Sequence, residues 1–298
     1  MRFLVAGSSG FLGTHLREHL AGRGHEVVPL VRRPPGPGEV QWSPYDGSVD
    51  VAAVEAADVV VNLAGSATLG NPHSRTWARE LRRSRVTTTS VLASAIAATD
   101  RKPALLAGNA VGFYGDHGDE VVTEATSSRG GTLLSQVTRE WQQATQPAAD
   151  AGARLCVMRT AVVQDRRSAP LKQQVLQFRA GAGGRLGPGT QYYPVVTVRD
   201  WVAAVTFLAE HDAVSGPVNL CAPQPPTNAE FTAALAERLH RPAVLHVPAA
   251  VIRLAAGPMA PEALGSVRAV PRVLLDAGFT FADPDIGAVL DTALSAGR

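Results

Sequence analysis

Gly7-Ser8-Ser9-Gly10-Phe11-Leu12-Gly13 follows an apolar run at residues 3–6 and opens an amphipathic stretch over residues 11–21. An apolar run, a glycine turn and a helical pattern in that order read as strand, tight turn and helix. Glycines three apart serve three separate ends there: a sharp turn, close backbone approach to a ligand, and close packing of helix on strand. The helix that follows points its free amides and the positive end of its dipole back at the turn, which suits an anion such as a diphosphate.

Outward from this turn the pattern repeats. Further β-rich runs are expected at residues 25–31, 58–62, 104–107 and 154–159, with helical stretches at 75–98 and 133–151. Short apolar strands separated by helices predict an α/β fold with a parallel sheet covered on both faces. After residue 160 the rhythm changes. A glycine-rich segment at 180–189 precedes helices expected at 200–210, 228–239 and 249–256, with isolated strand-like pieces at 217–220 and 244–247. The division this predicts is a doubly wound dinucleotide-binding domain over 1–160 and a small, mostly helical substrate lobe over 161–298. The chain is free to cross back to the sheet from that lobe.

Composition narrows the function classes. Apolar residues make up 45% of the 298 and charged residues 18%, which supports a large core and excludes wholesale disorder. The 28 basic and 26 acidic residues nearly balance, so no charge excess points to nucleic acid or an anionic membrane as partner. No apolar run reaches the ~20 residues of a membrane span, and the apolar start breaks into glycine and serine too soon for a signal peptide. A cytoplasmic location is the expectation. Lys102 and Lys172 are the two lysines, so a mechanism that needs lysine has two candidates. Cys156 and Cys221 stand far apart in apolar surroundings and read as reduced core thiols.

The end of the second expected strand selects among nucleotides. An NAD site usually places Asp or Glu there for the ribose hydroxyls, whereas this chain carries Leu30-Val31-Arg32-Arg33. Two guanidiniums suit a 2′-phosphate, so NADPH is the expected cofactor, with Arg32 and Arg33 holding that phosphate.

The glycine spacing, together with Asn62-Leu63-Ala64-Gly65, Ser84-Arg85-Val86-Thr87-Thr88, Ala110-Val111-Gly112-Phe113-Tyr114-Gly115, Arg159-Thr160, Gly187-Pro188-Gly189-Thr190-Gln191, Gly216-Pro217-Val218-Asn219 and Ala277-Gly278-Phe279-Thr280-Phe281, resembles the short-chain dehydrogenase/reductase superfamily. The form it resembles is the extended or atypical one, in the branch of epimerase-family proteins, and the resemblance runs over essentially the whole chain. It implies a Rossmann domain in which Gly7, Ser8, Ser9, Gly10, Phe11, Leu12 and Gly13 cradle the dinucleotide and Leu63, Ala64 and Gly65 line it.

The superfamily's chemistry rests on a Ser or Thr, a Tyr, and a Lys four residues after that Tyr, the tyrosine exchanging a proton with the reacting oxygen. Here the tyrosines are Tyr45, Tyr114, Tyr192 and Tyr193, and none stands four residues before Lys102 or Lys172. In the expected helix, Leu134 and Thr138 occupy the two positions, and Ala107-Gly108-Asn109-Ala110 replaces the serine pair. Asn109 can polarise a carbonyl but cannot supply a proton near neutral pH, which makes it the one catalytic candidate. The expected activity is an NADPH-dependent ketoreductase whose substrate compensates for the missing acid. A polycyclic aromatic ketone beside a phenolic hydroxyl, as in angucyclinone-type polyketides, carries its own internal hydrogen bond. The alternatives are an NADP(H)-binding module without chemistry and a sugar-nucleotide epimerase.

Other residues have plainer readings. His15 and His19 are one turn apart but lack a third ligand nearby, so no metal site is expected. Asp116-His117-Gly118-Asp119-Glu120 lies near the expected rim of the site and reads as a polar turn, the alternative being a segment that provides an acid or positions substrate. Tyr192 and Tyr193 are candidates to face an aromatic substrate or to anchor the core. Arg199 and Asp200 open a helix whose entry resembles a family motif, with Val195, Thr197 and Arg199 in place of the expected Trp, His and Asp. This fits a changed substrate pocket, while capping explains Asp200 equally well; residues 257–262 read as a turn or a lid hinge.

Overall fold

The computed structural model describes residues 1–68 and 70–296, so the last two residues of the expected substrate lobe lie outside it. Eight strands form one sheet: β1 (Arg2–Ala6), β2 (Glu26–Val31), β3 (Val40–Ser43), β4 (Ser48–Val49), β5 (Val59–Asn62), β6 (Ala104–Ala110), β7 (Leu155–Thr160) and β8 (Gly216–Leu220). Their spatial order is β8-β7-β6-β5-β1-β2-β3-β4, parallel throughout except for the closing β3–β4 pair.

The helices are α1 (Phe11–Gly22), α2 (Val51–Glu55), α3 (Arg75–Ala98), α4 (Leu133–Gln143), α5 (Gln146–Asp150), α6 (Ala169–Arg179), α7 (Val198–Glu210), α8 (Asn228–Leu239), α9 (Ala249–Ala256), α10 (Ala260–Leu264), α11 (Arg272–Asp276) and α12 (Ile286–Ser295). None is both long and apolar enough to cross a membrane.

The pleat explains why the strands are apolar without interruption. Phe3, Val5, Val59 and Val61 point into a core with Leu16 and Leu20 of α1 and Val205 and Leu208 of α7. Leu4, Ala6 and Val60 point the other way, against Leu92 and Ile96 of α3 and Ala148 of α5. Each strand thus buries both faces, as a parallel sheet between two helix layers requires. A third core gathers Leu171 and Phe178 of α6, Phe231 and Leu235 of α8, and Val289 and Leu290 of α12.

Strand order places the site. From β1 the chain adds β2, β3 and β4 on one side, then crosses back to lay β5 against the other side. The crevice beyond the carboxyl ends of β1 and β5 is therefore the topological switch point, where open α/β sheets take their ligands.

Four local expectations change. The stretch 133–151 is two helices, because Pro147 has no N–H to continue the ladder and sits in the first turn of α5 instead. Residues 217–220 are not isolated. They lie within β8, an edge strand of the main sheet, with Val218 opposite Met158 and Val218, Asn219 and Leu220 fully buried. Within the glycine-rich segment, Gly184–Leu186 pairs with Leu245–Val247 in parallel; a side chain at Gly184 would strike the Leu245 carbonyl. Helix α7 begins earlier than expected, capped by Thr197, whose hydroxyl accepts the Asp200 N–H at 3.1 Å. Asp200 is not the cap. Its buried carboxylate accepts the N–H groups of Ala282 and Asp283 and ties down the chain leading to α12.

Candidate dinucleotide site

The turn after β1 requires glycine by sterics. Gly7 has φ +78, and a Cβ there would lie 2.6 Å from the Leu63 carbonyl carbon. A Cβ on Gly13 would lie 2.2 Å from the Gly7 oxygen, while one on Gly10 would meet the same oxygen at 3.2 Å. The Gly10 N–H donates to the Gly7 carbonyl at 3.0 Å, which closes the turn. Gly10 caps α1 without a side-chain acceptor, and the first turn of α1 carries no acidic residue. The leading amides of α1 are thus left to a ligand, and an anion answers both their donors and their dipole. Ser8 is buried and Ser9 exposed, while Phe11 and Leu12 pack half-buried on the core beneath.

The facing wall is built by Asn62. Its side-chain oxygen accepts the Ala64 N–H at 3.1 Å, and its amide donates to the Thr89 hydroxyl oxygen at 2.8 Å. The Trp141 indole N–H donates to the same oxygen at 2.8 Å. The Leu63 N–H donates to the Ala6 carbonyl, so β1 and β5 stay in register right up to the crevice. This buried network fixes the path of Leu63, Ala64 and Gly65 opposite the glycine turn. Sequence reasoning quoted the stretch through Thr88 but missed the roles of Thr89 and Trp141, because only the tertiary contact between α3 and α4 reveals them.

The two expected phosphate ligands have different circumstances. Arg33 forms a two-pronged pair with Glu39, at 2.7 Å for each contact, and Glu39 also accepts the Gly36 N–H at 2.8 Å. That pairing holds the Glu39 carboxyl below its usual range. Arg32 is exposed at the end of β2 and has no hydrogen-bond or ion-pair partner among the described residues, so it is the readier of the two to meet a phosphate.

At the chemical end of the crevice, α4 offers no proton carrier at the expected positions. Leu134 packs toward Gly112, where an added Cβ would lie 3.3 Å from that of Leu134. The Thr138 hydroxyl donates back to the Leu134 carbonyl at 2.7 Å. Asn109 is buried at the end of β6, its side-chain oxygen accepting the Ala110 N–H at 2.8 Å and its amide donating to the Thr138 carbonyl at 3.0 Å. It retains one N–H and one lone pair for other work. Tyr114 comes close in the chain but is fully buried; its hydroxyl donates to Asn219 at 2.7 Å and accepts from Arg159 at 2.9 Å. Burial pushes that phenol up to about 12, which keeps it neutral and out of proton traffic.

Two carboxylates lie nearby that sequence reasoning did not single out as acids. Glu124 is buried and accepts the N–H groups of Asn219 and Val273, leaving Oε2 without a partner among the described residues. Glu262 of α10 accepts the Leu134 N–H at 3.1 Å, at the start of α4. Burial raises the pKa of both.

The remaining candidates serve structure in this arrangement. Asp116 accepts the N–H groups of Gly118 and Ser266, and the His117 N–H donates to the Ser266 carbonyl, so this turn clasps the segment after α10. Tyr193 packs edge-on against Phe231, and Tyr192 lies under the Arg268 guanidinium at 4.9 Å. His15 Nδ1 lies 2.9 Å from the Phe11 carbonyl within its own helix. Among the described residues no three His, Cys, Asp or Glu side chains converge as a metal site would. Gly257 abuts the His73 ring, bringing the turn after α9 over the loop that leads into α3. Cys156 and Cys221 are buried free thiols.

A parallel sheet with a glycine cradle at its switch point and a hydrogen-bonded wall facing it defines a dinucleotide-binding protein of the Rossmann type. The chain belongs to the NAD dependent epimerase/dehydratase family, whose model matches residues 3–221, and is an epimerase-family protein of the atypical short-chain dehydrogenase/reductase kind. A domain of unknown function (DUF1731) matches residues 247–293. Epimerase family protein Mb2239 of Mycobacterium bovis is 39% identical over 291 residues, covering 97% of this chain and 96% of that one. The crystal structure of human epimerase family protein SDR39U1 (isoform 2) with NADPH superposes with a TM-score of 0.88 at 32% identity, covering 99% of this chain and all of the other. A nucleoside-diphosphate sugar epimerase from Corynebacterium glutamicum gives a TM-score of 0.81 at 34% identity, covering 99% of this chain and 58% of that one.

Proposed function

We propose that this chain is an NADPH-dependent carbonyl reductase that works without the superfamily's Tyr/Lys pair. The observation that carries the reading is α4 itself: Leu134 and Thr138 stand at the two catalytic positions while the cradle at Gly7, Ser8, Ser9, Gly10, Phe11, Leu12 and Gly13 is sterically complete. NADPH is the cofactor. The similar human protein was crystallised with it, and the exposed Arg32 fits the 2′-phosphate. Arg33 joins that contact once Glu39 releases it, and Leu63, Ala64 and Gly65 line the bound dinucleotide.

When bound, the cofactor supplies hydride. The chain's own part is to align donor and acceptor and to exclude water, and orientation alone is worth several orders of magnitude in rate. With no tyrosine to protonate the new alkoxide, the substrate that suits this site carries its own donor. A ketone beside a phenolic hydroxyl on a polycyclic aromatic framework meets that need. Asn109, through its one free N–H, is the residue to polarise the carbonyl. Residues 1–160 hold the cofactor and residues 161–298 the substrate, with β8 returned to the sheet.

A second reading, an NADP(H)-binding module without chemistry, is favoured by one observation: both ends of the Asn109 amide already serve the fold. NADPH oxidation against polycyclic ketones, each with and without the adjacent hydroxyl, separates the two. Turnover confined to the hydroxylated members is the expected result; tight NADPH binding with no oxidation across the set establishes the second reading.

A further inference from the structure

Helices α6, α8 and α12 pack around the third core and leave a cavity of about 420 Å³ beside it, which shares no residue with the dinucleotide crevice. Its floor is apolar: Val175 and Leu176 of α6, Leu239 of α8 and Leu294 of α12. Val175, Leu239 and Leu294 rest on the core, whereas Leu176 is 69% exposed at the lip. The rim is cationic, made by Arg166, Lys172, Arg179 and Arg238, and no acidic side chain lines the cavity among the described residues.

The sequence of α6 builds this arrangement. Lys172, Val175, Leu176 and Arg179 stand at positions i, i+3, i+4 and i+7, so one helix face carries a cation, two aliphatic groups and a second cation in line. Arg166 comes from the loop before α6, which is pinned where its backbone N–H donates to the Ala293 carbonyl at 2.9 Å. Arg238 is held by Asp291 at 2.7 Å. The side chains of Arg166, Lys172 and Arg179 have no hydrogen-bond or ion-pair partner among the described residues. Like charges gathered around an apolar hollow repel one another, and an ordinary surface intersperses acids to relieve them. A second cavity of about 420 Å³, bordered by α1, α7 and α12, does so: Asp165 pairs there with Arg167 at 2.8 Å, and Glu18 also lines it.

We propose that the cavity among α6, α8 and α12 binds a single-chain anionic amphiphile, an acyl chain of medium length ending in a carboxylate. The alkyl part displaces water from the four aliphatic side chains, and the stems of the lysine and arginines extend that floor. The carboxylate, on leaving water, takes charged donors from Lys172, Arg179 or Arg166. The volume falls within the range of small-ligand pockets. A concave floor suits one chain, whereas a bilayer surface calls for apolar groups that protrude into it.

The test uses the full chain and calorimetry with decanoate, hexanoate and decanol, each below its micelle concentration. The variants are Arg179→Glu, Lys172→Glu and Leu176→Ser, all at exposed positions and all expected to melt like the parent. Expected is one decanoate per chain, bound more tightly than hexanoate by about fourfold per added methylene. Either charge reversal weakens decanoate about tenfold or more, and added salt weakens it too. Decanol binds less tightly and is indifferent to both charge reversals, while Leu176→Ser reduces the gain with chain length. Equal affinity for hexanoate and decanoate, or decanoate binding that neither charge reversal weakens, overturns the proposal. Capture by phosphatidylglycerol vesicles with no binding of decanoate overturns it in favour of a membrane contact. Self-association that Arg179→Glu abolishes, in a chain that binds no decanoate, overturns it in favour of an interface between two copies.

Discussion

Asn109 and Thr138 are joined by one hydrogen bond, the side-chain amide of the first donating to the carbonyl of the second at 3.0 Å. The bond fastens the end of β6 to α4. Read from the sequence, the superfamily's serine pair falls over residues 107–110 and its lysine at Thr138; here the contact between Asn109 and Thr138 secures a strand to a helix.

Asn109→Ala leaves the Ala110 N–H and the Thr138 carbonyl without their partners in a buried setting. Denaturant unfolding is expected to show a loss of about 1–3 kcal/mol. Hydride transfer to a hydroxylated ketone, measured below the melting temperature, is expected to fall as well. Full turnover in a destabilised Asn109→Ala protein would reduce this residue to its structural part.

The glycines of the first turn should rank by the space behind them. Gly13→Ala places a methyl 2.2 Å from the Gly7 carbonyl oxygen and must shift α1, whereas Gly10→Ala meets the same atom at 3.2 Å. NADPH titration by fluorescence should therefore show near-complete loss for Gly13→Ala and a milder effect for Gly10→Ala. The reverse order would mean that ligand contact, rather than helix–strand packing, governs the turn.

Arg32 and Arg33 should prove unequal. Arg32→Ala is expected to weaken NADPH about ten- to a hundredfold while sparing NADH, the range for hydrogen bonds to a charged group. Arg33→Ala should do less, because Glu39 already holds that guanidinium. Glu39→Gln should then raise NADPH affinity by releasing Arg33. Equal losses of NADPH and NADH in Arg32→Ala would remove the phosphate role.

Glu124 gives a pH dependence with a definite sign. Burial is the chief cause of its raised pKa, so the folded state holds the proton more tightly than the unfolded chain does. The stability this contributes is complete below the ordinary glutamate value and is lost as pH rises through the folded pKa. Glu262 and Asp200 act in the same direction, and Asp58 and Glu210 in the opposite one, so the comparison must be with a variant. Melting temperatures at pH 5 and pH 8 should differ less in Glu124→Gln than in the parent; an unchanged difference would show that the carboxyl stays ionised.

Local rules were enough for much of the fold. Apolar runs such as Val59–Asn62 could be read as strands because a parallel sheet buries both faces. The glycine turn was legible because each glycine answers a short-range clash. The absence of a Tyr/Lys pair was also legible, since an absent residue type needs no coordinates. Where residues distant in the chain meet, the sequence was silent. Asp200 reads as a cap by local chemistry, yet Thr197 caps the helix and Asp200 holds a segment more than 80 residues away. Arg32 and Arg33 read as equals, and only the return of the chain at Glu39 separates them. The same holds for Glu262 at the start of α4: a side chain's charge is written in the sequence, but its solvation and its partners are set by how distant segments pack.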